Sequence, residues 1–367
     1  MSGFRSFPCY GAQRSAQIGM IMKKVTLQDI ASSLGISRTT VWKVFSGQKG
    51  VSDNLRRKIL TTAQEMGYEF PECAPLLPSQ KTAAPPVNIA VAVCRPESSI
   101  FWMNIIHQIA KELSFHNVNL VYTYLPSSID EDYTLPASLV NGNTHGIIVL
   151  NVYNNQLIRL LSEAPVPKVF LDTVPRMQPP ELHGDLVLIE GRTCIREITR
   201  RLIDSGRTRL GFVGDIGYAQ TNQDRYEGFA DALREKNLPL DASLCLTAPL
   251  SLRAHYEEIS AFLDGLPELP QAIVCASDFI AHFVSRYLTE SGRKTPKGFL
   301  LTGFDNNAEY GNVADKITTV HVETSALGKR LANKLLFRAD HPQMPPEVCY
   351  ITTEIVYRGP LAAETEK

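Results

Sequence analysis

Between residues 37 and 43 the chain gathers Ser37, Arg38, Thr39, Thr40 and Lys43, hydrogen-bond donors whose spacing suits contact with a nucleic-acid duplex. A guanidinium such as that of Arg38 can donate two bonds to one guanine edge, and a threonine such as Thr39 can bond a base or rest its methyl on thymine. The groups of Ser37, Thr40, Lys43 and Arg56 can hold phosphates, which fixes register without reading sequence. Such chemistry requires a helix that carries the donors into a groove.

The apolar spacing supplies that helix. Thr26-Leu-Gln-Asp29 reads as an N-cap with an acid three residues on, satisfying free backbone donors and complementing the helix dipole. Leu27, Ile30, Ala31 and Leu34 then repeat at i, i+3, i+4 and i+7, one buried stripe, and Gly35 stops the helix. Ser37 caps a second helix over 38–45, with Val41, Val44 and Phe45 inward and Arg38, Thr39, Trp42 and Lys43 outward. Beyond Gly47 and Gly50, Ser52 caps a third helix with a stripe of Leu55, Ile59, Ala63 and Met66, ended by Gly67. Two short helices joined at a glycine turn and closed by a third form a helix-turn-helix unit, whose second helix enters the major groove. Thr26 joins the candidate set because the backbone amides of helix starts bind phosphate. The same periodicity also suits a three-helix bundle with a merely solvated basic face.

Charge is distributed in the same sense. The 367 residues carry a formal charge of −1, which excludes a basic coat over the whole protein. Residues 1–70, however, hold ten Lys/Arg against four acids, a net of +6, and the remainder carries −7. A basic head on an acidic body is expected where one small domain meets nucleic acid and the rest does something else. The length calls for more than one domain. Seven scattered cysteines without a C-x-x-C pair point to reduced thiols in a cytoplasmic protein and to no zinc site. No apolar run approaches the roughly 18–20 residues of a membrane span. Residues 1–21 lack the apolar core of an export signal, and the ordered pattern begins at Met22, so this stretch is expected to be a disordered extension or an over-long start.

From Val25-Thr-Leu-Gln-Asp-Ile-Ala through Gly50-Val-Ser and Gly67-Tyr68 the head resembles the DNA-binding head of LacI-family regulators. The resemblance implies that Arg38 and Thr39 occupy the two main base-reading positions and Lys43 a third. Trp42 departs from the family's small residue; it either fills space against the third helix or lies along the DNA backbone. The family has a hinge helix after the head that wedges a leucine into the minor groove, and a gap-free match places Leu77 there. Residues 71–86 instead contain five prolines, which argue for an extended tether over a helix.

From residue 87 apolar strands alternate with amphipathic helices: strands over 87–94, 118–124, 146–150, 168–172, 209–214, 272–276 and 299–304, and helices over 101–116, 155–164, 194–205, 224–236, 279–291 and 326–337. Serial β-α-β units imply doubly wound parallel sheets that bind ligands beyond the carboxyl ends of their strands. Residues 87–360 are expected to form two lobes around a cleft, followed by a tail over 361–367.

Landmarks of this body, Arg209-Leu-Gly-Phe-Val-Gly-Asp, Arg225-Tyr-Glu-Gly-Phe, Cys275-Ala-Ser-Asp278 and Gly303-Phe-Asp305, resemble the family's effector domain, which is similar to type I periplasmic sugar-binding proteins. That resemblance implies that Arg225 and Asp305 grip ligand hydroxyls or a charged group, that Phe101 or Trp102 packs on a sugar ring, and that Asp172 and Ser277 border the ligand. On their own, Phe101 and Trp102 also suit a core, and Arg225 with Asp305 an ion pair. P-loop, zinc-protease and nucleophile-elbow motifs are absent, so neither an enzyme nor a cofactor is expected. The implied protein is a homodimeric repressor on a pseudo-palindromic operator, controlled by a small molecule. The alternatives are a solute-binding protein or a sugar-acting α/β enzyme with a non-functional head.

Overall fold

The computed structural model describes residues 25–46, 48, 50–68, 87–95, 99–251 and 253–362. The expected extension over 1–21, the tether over 71–86 with Leu77, and the tail beyond Ala362 lie outside the described residues. The rest falls into two compact units that divide between residues 84 and 85.

The first unit contains helices α1 (Leu27–Leu34), α2 (Arg38–Phe45) and α3 (Asp53–Glu65). The expected capping box forms: the Thr26 amide donates to Asp29 Oδ2 at 2.7 Å and the Asp29 amide to Thr26 Oγ1 at 3.3 Å. Gly35 ends α1 at φ +65°, a left-handed conformation that a Cβ would strain. Ser37 caps α2 by accepting from the Thr40 amide at 3.1 Å. Ile30, Ala31, Val41, Val44, Ile59, Leu60 and Ala63 make the core. Leu27, Leu34, Leu55 and Met66 of the expected stripes are only partly buried around it, because helices this short reach a common centre with only one turn each.

The second unit runs β1 (Asn88–Cys94), α4 (Ile100–Phe115), β2 (Asn119–Leu125), α5 (Ala137–Val140), β3 (Gly146–Leu150), α6 (Asn155–Glu163), β4 (Lys168–Leu171), β5 (Asp185–Ile189), α7 (Arg192–Asp204), β6 (Leu210–Val213), α8 (Gln220–Glu235), β7 (Cys245–Leu246), α9 (His255–Gly265), β8 (Ala272–Cys275), α10 (Asp278–Glu290), β9 (Leu300–Thr302), β10 (Thr319–His321), α11 (Thr324–Asp340), β11 (Val348–Ile351) and β12 (Glu354–Val356). A six-stranded sheet in the order β11-β5-β4-β3-β1-β2 builds the first lobe, and a four-stranded sheet in the order β7-β6-β8-β9 the second. All pairings within these two sheets are parallel. Strands such as β3 and β5 are buried throughout, as a sheet covered on both faces requires.

The chain passes between the lobes three times, near Glu190, Val322 and Thr353, because α11 and β11 return to the first sheet while β12 pairs antiparallel with β10. Thr353 Oγ1 donates to the Glu190 carbonyl at 2.9 Å, tying two of these crossings together. A buried ion pair, Arg338 to Asp185 at 2.6 Å, fastens α11 to the start of β5. The strands β5, β7, β10, β11 and β12 and the helices α5 and α9 add to the expected alternation. β10, β11 and β12 are short segments ordered by pairings distant in sequence.

Candidate functional site

In the head, Arg38 and Thr39 stand exposed on α2, with Lys43 partly so. The Thr40 hydroxyl bonds Ser37 Oγ at 2.8 Å, so both side chains serve the cap. Trp42 remains 48% exposed and is not part of the packing around the core, which overturns the reading that it fills space against α3. Arg56 is more committed than a free phosphate anchor: it donates from Nη1 to the Val44 carbonyl at 3.3 Å and from Nη2 to the Gln48 carbonyl at 2.7 Å. It satisfies carbonyls at the end of α2, where a helix leaves them unpaired.

Between the two sheets lies a cavity of about 300 Å³. Phe101, Trp102, Asp172, Arg225, Ser277 and Asp305 all line it, so residues spread over two hundred positions meet in one place. The strand ends deliver them. Arg95, Asn151 and Asp172 immediately follow β1, β3 and β4, at φ of +43°, +53° and +67°, and Asp305 follows β9 at +105°. Non-glycine residues rarely take this conformation, and its clustering around one cavity marks a candidate functional site.

Arg225 is buried. Its Nη1 donates to the Ala276 carbonyl at 2.6 Å and its guanidinium lies 3.6 Å from the centre of the Phe304 ring, a cation–π contact. Its Nε is buried without a partner. Gly191 gives it room, since a Cβ there would come within 2.9 Å of Arg225 Cγ. No ion pair joins Arg225 to Asp305 among the described residues, so the pair is not a direct structural bridge. Burial pushes the Asp305 carboxyl up to about 7, with the Asp278 charge adding to the rise and Arg225 opposing it. Asp278, raised to about 6 chiefly by burial, accepts from Thr319 Oγ1 and from the Asn307 amide, each at 2.8 Å.

Asp172 is fully engaged. It accepts from the Thr173 amide at 2.8 Å, the Thr221 amide at 3.3 Å, Thr221 Oγ1 at 2.5 Å and the Tyr153 hydroxyl at 3.4 Å. A carboxylate with four protein donors has little capacity left for a ligand, so its expected place at the sugar's border becomes that of a clamp between lobes. Ser277 caps α10, accepting from the Ile280 amide at 3.3 Å. Phe101 and Trp102 meet edge to face at 5.2 Å and are partly buried against the core while lining the cavity.

Sequence reasoning missed Arg95, Asn151, Tyr153, Tyr218, Phe279, Asn307 and Tyr310, which also line the cavity. Arg95 and Asn151 carried a usable signal, since each follows an apolar parallel strand at its carboxyl end. Tyr153 and Tyr218, which meet at a tilt with ring centres 4.4 Å apart from opposite lobes, are lone loop aromatics with no periodicity to mark them.

Comparison with known proteins fits this geometry. Residues 26–70 match the model for bacterial regulatory proteins of the lacI family, and residues 199–360 that for a periplasmic binding protein-like domain. The chain belongs to the LacI family of transcriptional regulators. LacI-family relatives align with it over nearly their full length. The HTH-type transcriptional repressor PurR of Mannheimia succiniciproducens is 25% identical over 91% of this chain and 97% of its own. The HTH-type transcriptional regulator CelR of Thermobifida fusca is 24% identical over 92% and 98%. Among solved structures, a complex of the regulator CelR with cellobiose shares the fold at a TM-score of 0.65 and 23% identity, covering 91% of this chain and 99% of that one. A lac repressor dimer bound to operator does so at 0.63 and 19%, covering 92% and 98%. Among the described residues no helix is long and apolar enough to cross a membrane.

Proposed function

We propose that this regulator is a repressor whose hold on operator DNA is set by a sugar or sugar derivative in the cleft. The reading is carried by the convergence of Arg225 and Asp305 on one cavity lined by aromatic residues of both lobes. Arg225 donates charge-assisted bonds to ligand hydroxyls, Asp305 accepts from them, and Phe101 or Trp102 covers an apolar ring face. Ser277 borders the same space. The cellobiose held by the CelR relative supports the sugar class.

The head, taken as residues 22–70, reads DNA through Arg38 and Thr39, with Lys43, Ser37, Thr40 and the start of α1 at Thr26 on the backbone. It is joined by the tether over 71–86 to an effector domain over 87–360. Two copies on a pseudo-palindromic site place two such helices in successive major grooves. Control requires the ligand to prefer one lobe arrangement over another, since only a differential affinity shifts the equilibrium. The protein acts in the cytoplasm, where its operator lies.

The reading is tested by thermal unfolding of the full chain with a panel of sugars. A ligand at 100 times its Kd adds about 2.7 kcal/mol, and Arg225→Ala and Asp305→Ala should each abolish the shift. Retention of the shift in both variants would move the ligand elsewhere.

A further inference from the structure

Two arginines and three carboxylates face the cleft, and Arg95 is the least engaged of the cations. Arg95 lies at the end of β1 in the first lobe and Arg225 on α8 in the second. Arg95 donates from Nη2 to the Tyr218 hydroxyl at 2.8 Å, and Arg225 from Nη1 to a backbone carbonyl. Both acceptors are neutral, and the Nε of each arginine is buried without a partner. Neither guanidinium lies in an ion pair among the described residues.

The carboxylates of the cleft are mostly occupied. Asp172 holds four donors, and Asp215 accepts from the Gly217 amide at 2.9 Å and the Leu250 amide at 3.1 Å. Asp305 alone has no hydrogen bond to its carboxyl group among the described residues. Arg225 acts on the nearby charges of Asp172 and Asp305, whereas the one hydrogen-bond partner of the Arg95 guanidinium among the described residues is the neutral Tyr218 hydroxyl. A sheltered cation bonded only to a neutral group is unfavourable, and for Arg95 the cavity is the place left for a counter-charge.

We propose that the effector is an anionic sugar derivative, whose carboxylate or phosphate is received by Arg95 while Arg225 and Asp305 hold its hydroxyls. This rests on the reading of the cleft as a sugar site and names the ligand more narrowly. Arg95 is built for the task. The backbone holds it at φ +43°, a conformation that long side chains avoid. Its bond to Tyr218, itself packed at a tilt against Tyr153, orients the guanidinium and leaves Nη1 without a hydrogen bond among the described residues. A planar fork fixed in this way suits a carboxylate or phosphate oxygen pair better than a single hydroxyl.

Titration calorimetry of the full chain decides the matter, with glucuronate and glucose 6-phosphate each measured against glucose, and galacturonate against galactose. At least one acid should bind about tenfold tighter than its neutral parent, the increment of one charge-assisted bond. Which acid does so separates a carboxylate from a phosphate ligand. Arg95→Gln should weaken the acid far more than the parent, and Arg95→Lys should keep part of the preference. Equal binding of acid and parent, or a preference that survives Arg95→Gln, would overturn the anionic class and leave the sugar reading standing. Failure of every sugar, neutral or acidic, would overturn both.

Discussion

Thr221 donates both its hydroxyl and its amide to the carboxylate of Asp172, joining the start of α8 in the second lobe to the end of β4 in the first. With the Gln220 amide on the Thr173 carbonyl at 2.7 Å, it forms a seam on one side of the cavity. Glu309 forms another, accepting from Ser99 Oγ at 3.0 Å and from the Ile100 amide at 3.2 Å. The described conformation therefore has its lobes in direct polar contact around the ligand space.

Removing the Thr221 hydroxyl should loosen that contact. Thr221→Val strips a buried acceptor of a donor, which costs about 1–3 kcal/mol. Denaturant unfolding of the full chain should show the loss, and Ser99→Ala, which removes an exposed contact, should show less. Equal losses in both would mean that the buried seam has no special weight.

In the head, Arg38→Ala should cost about 1–3 kcal/mol and relax discrimination at one base position. Lys43→Ala should instead weaken all sequences alike and reduce the salt slope by about one. Fluorescence anisotropy on the operator and single-base variants, at several salt concentrations, separates the two. Unchanged sequence preference in Arg38→Ala would remove that residue from base reading.

Arg56 should behave differently from either. Because it closes carbonyls at the end of α2, Arg56→Ala should lower the protection of α2 amides by about 0.5–1.5 kcal/mol in hydrogen exchange, with the salt slope unchanged. A slope reduced by about one, with protection intact, would make it a phosphate contact after all.

Asp305 ties stability to pH. Its carboxyl is raised by burial to about 7, against 3.8 for the free group, with Asp278 pushing the same way, Arg225 opposing, and the Tyr310 phenol facing the same charges. Between these values the unfolded chain has released a proton that the fold retains, so this group favours folding at low pH and loses that contribution as pH climbs toward 7. Asp305→Asn lacks the effect. The midpoint of the variant should therefore gain on the wild type from about pH 4 to pH 7 and then level off. A constant difference across that range would place the titration elsewhere.

Local signals were legible in the sequence where one short segment contains both partners. The Thr26–Asp29 box, the Gly35 stop and the β3 strand over 146–150 are of this kind, each set by residues a few positions apart. The ligand cleft was legible only through family resemblance at Arg225 and Asp305, since no periodicity links residues eighty positions apart. Asp172 lines the cavity as expected of a bordering residue, but its donor Thr221, 49 residues away on another lobe, had no signal in the sequence. The pairing of Arg95 with Tyr218, 123 residues apart, was invisible for the same reason, although the place of Arg95 at a strand end was readable.

The left-handed residues that follow β1, β3 and β4 bear on how the lining of such a cleft can change. Each hangs its side chain from a strand end whose own apolar residues pack elsewhere, so a new residue at 95, 151 or 172 alters the cleft without repacking either sheet. The backbone admits Asn, Asp and Gly there most readily, so drift should be easiest toward short polar groups. The arginine at position 95 departs from that preference, so it is the residue to compare between relatives that bind different small molecules.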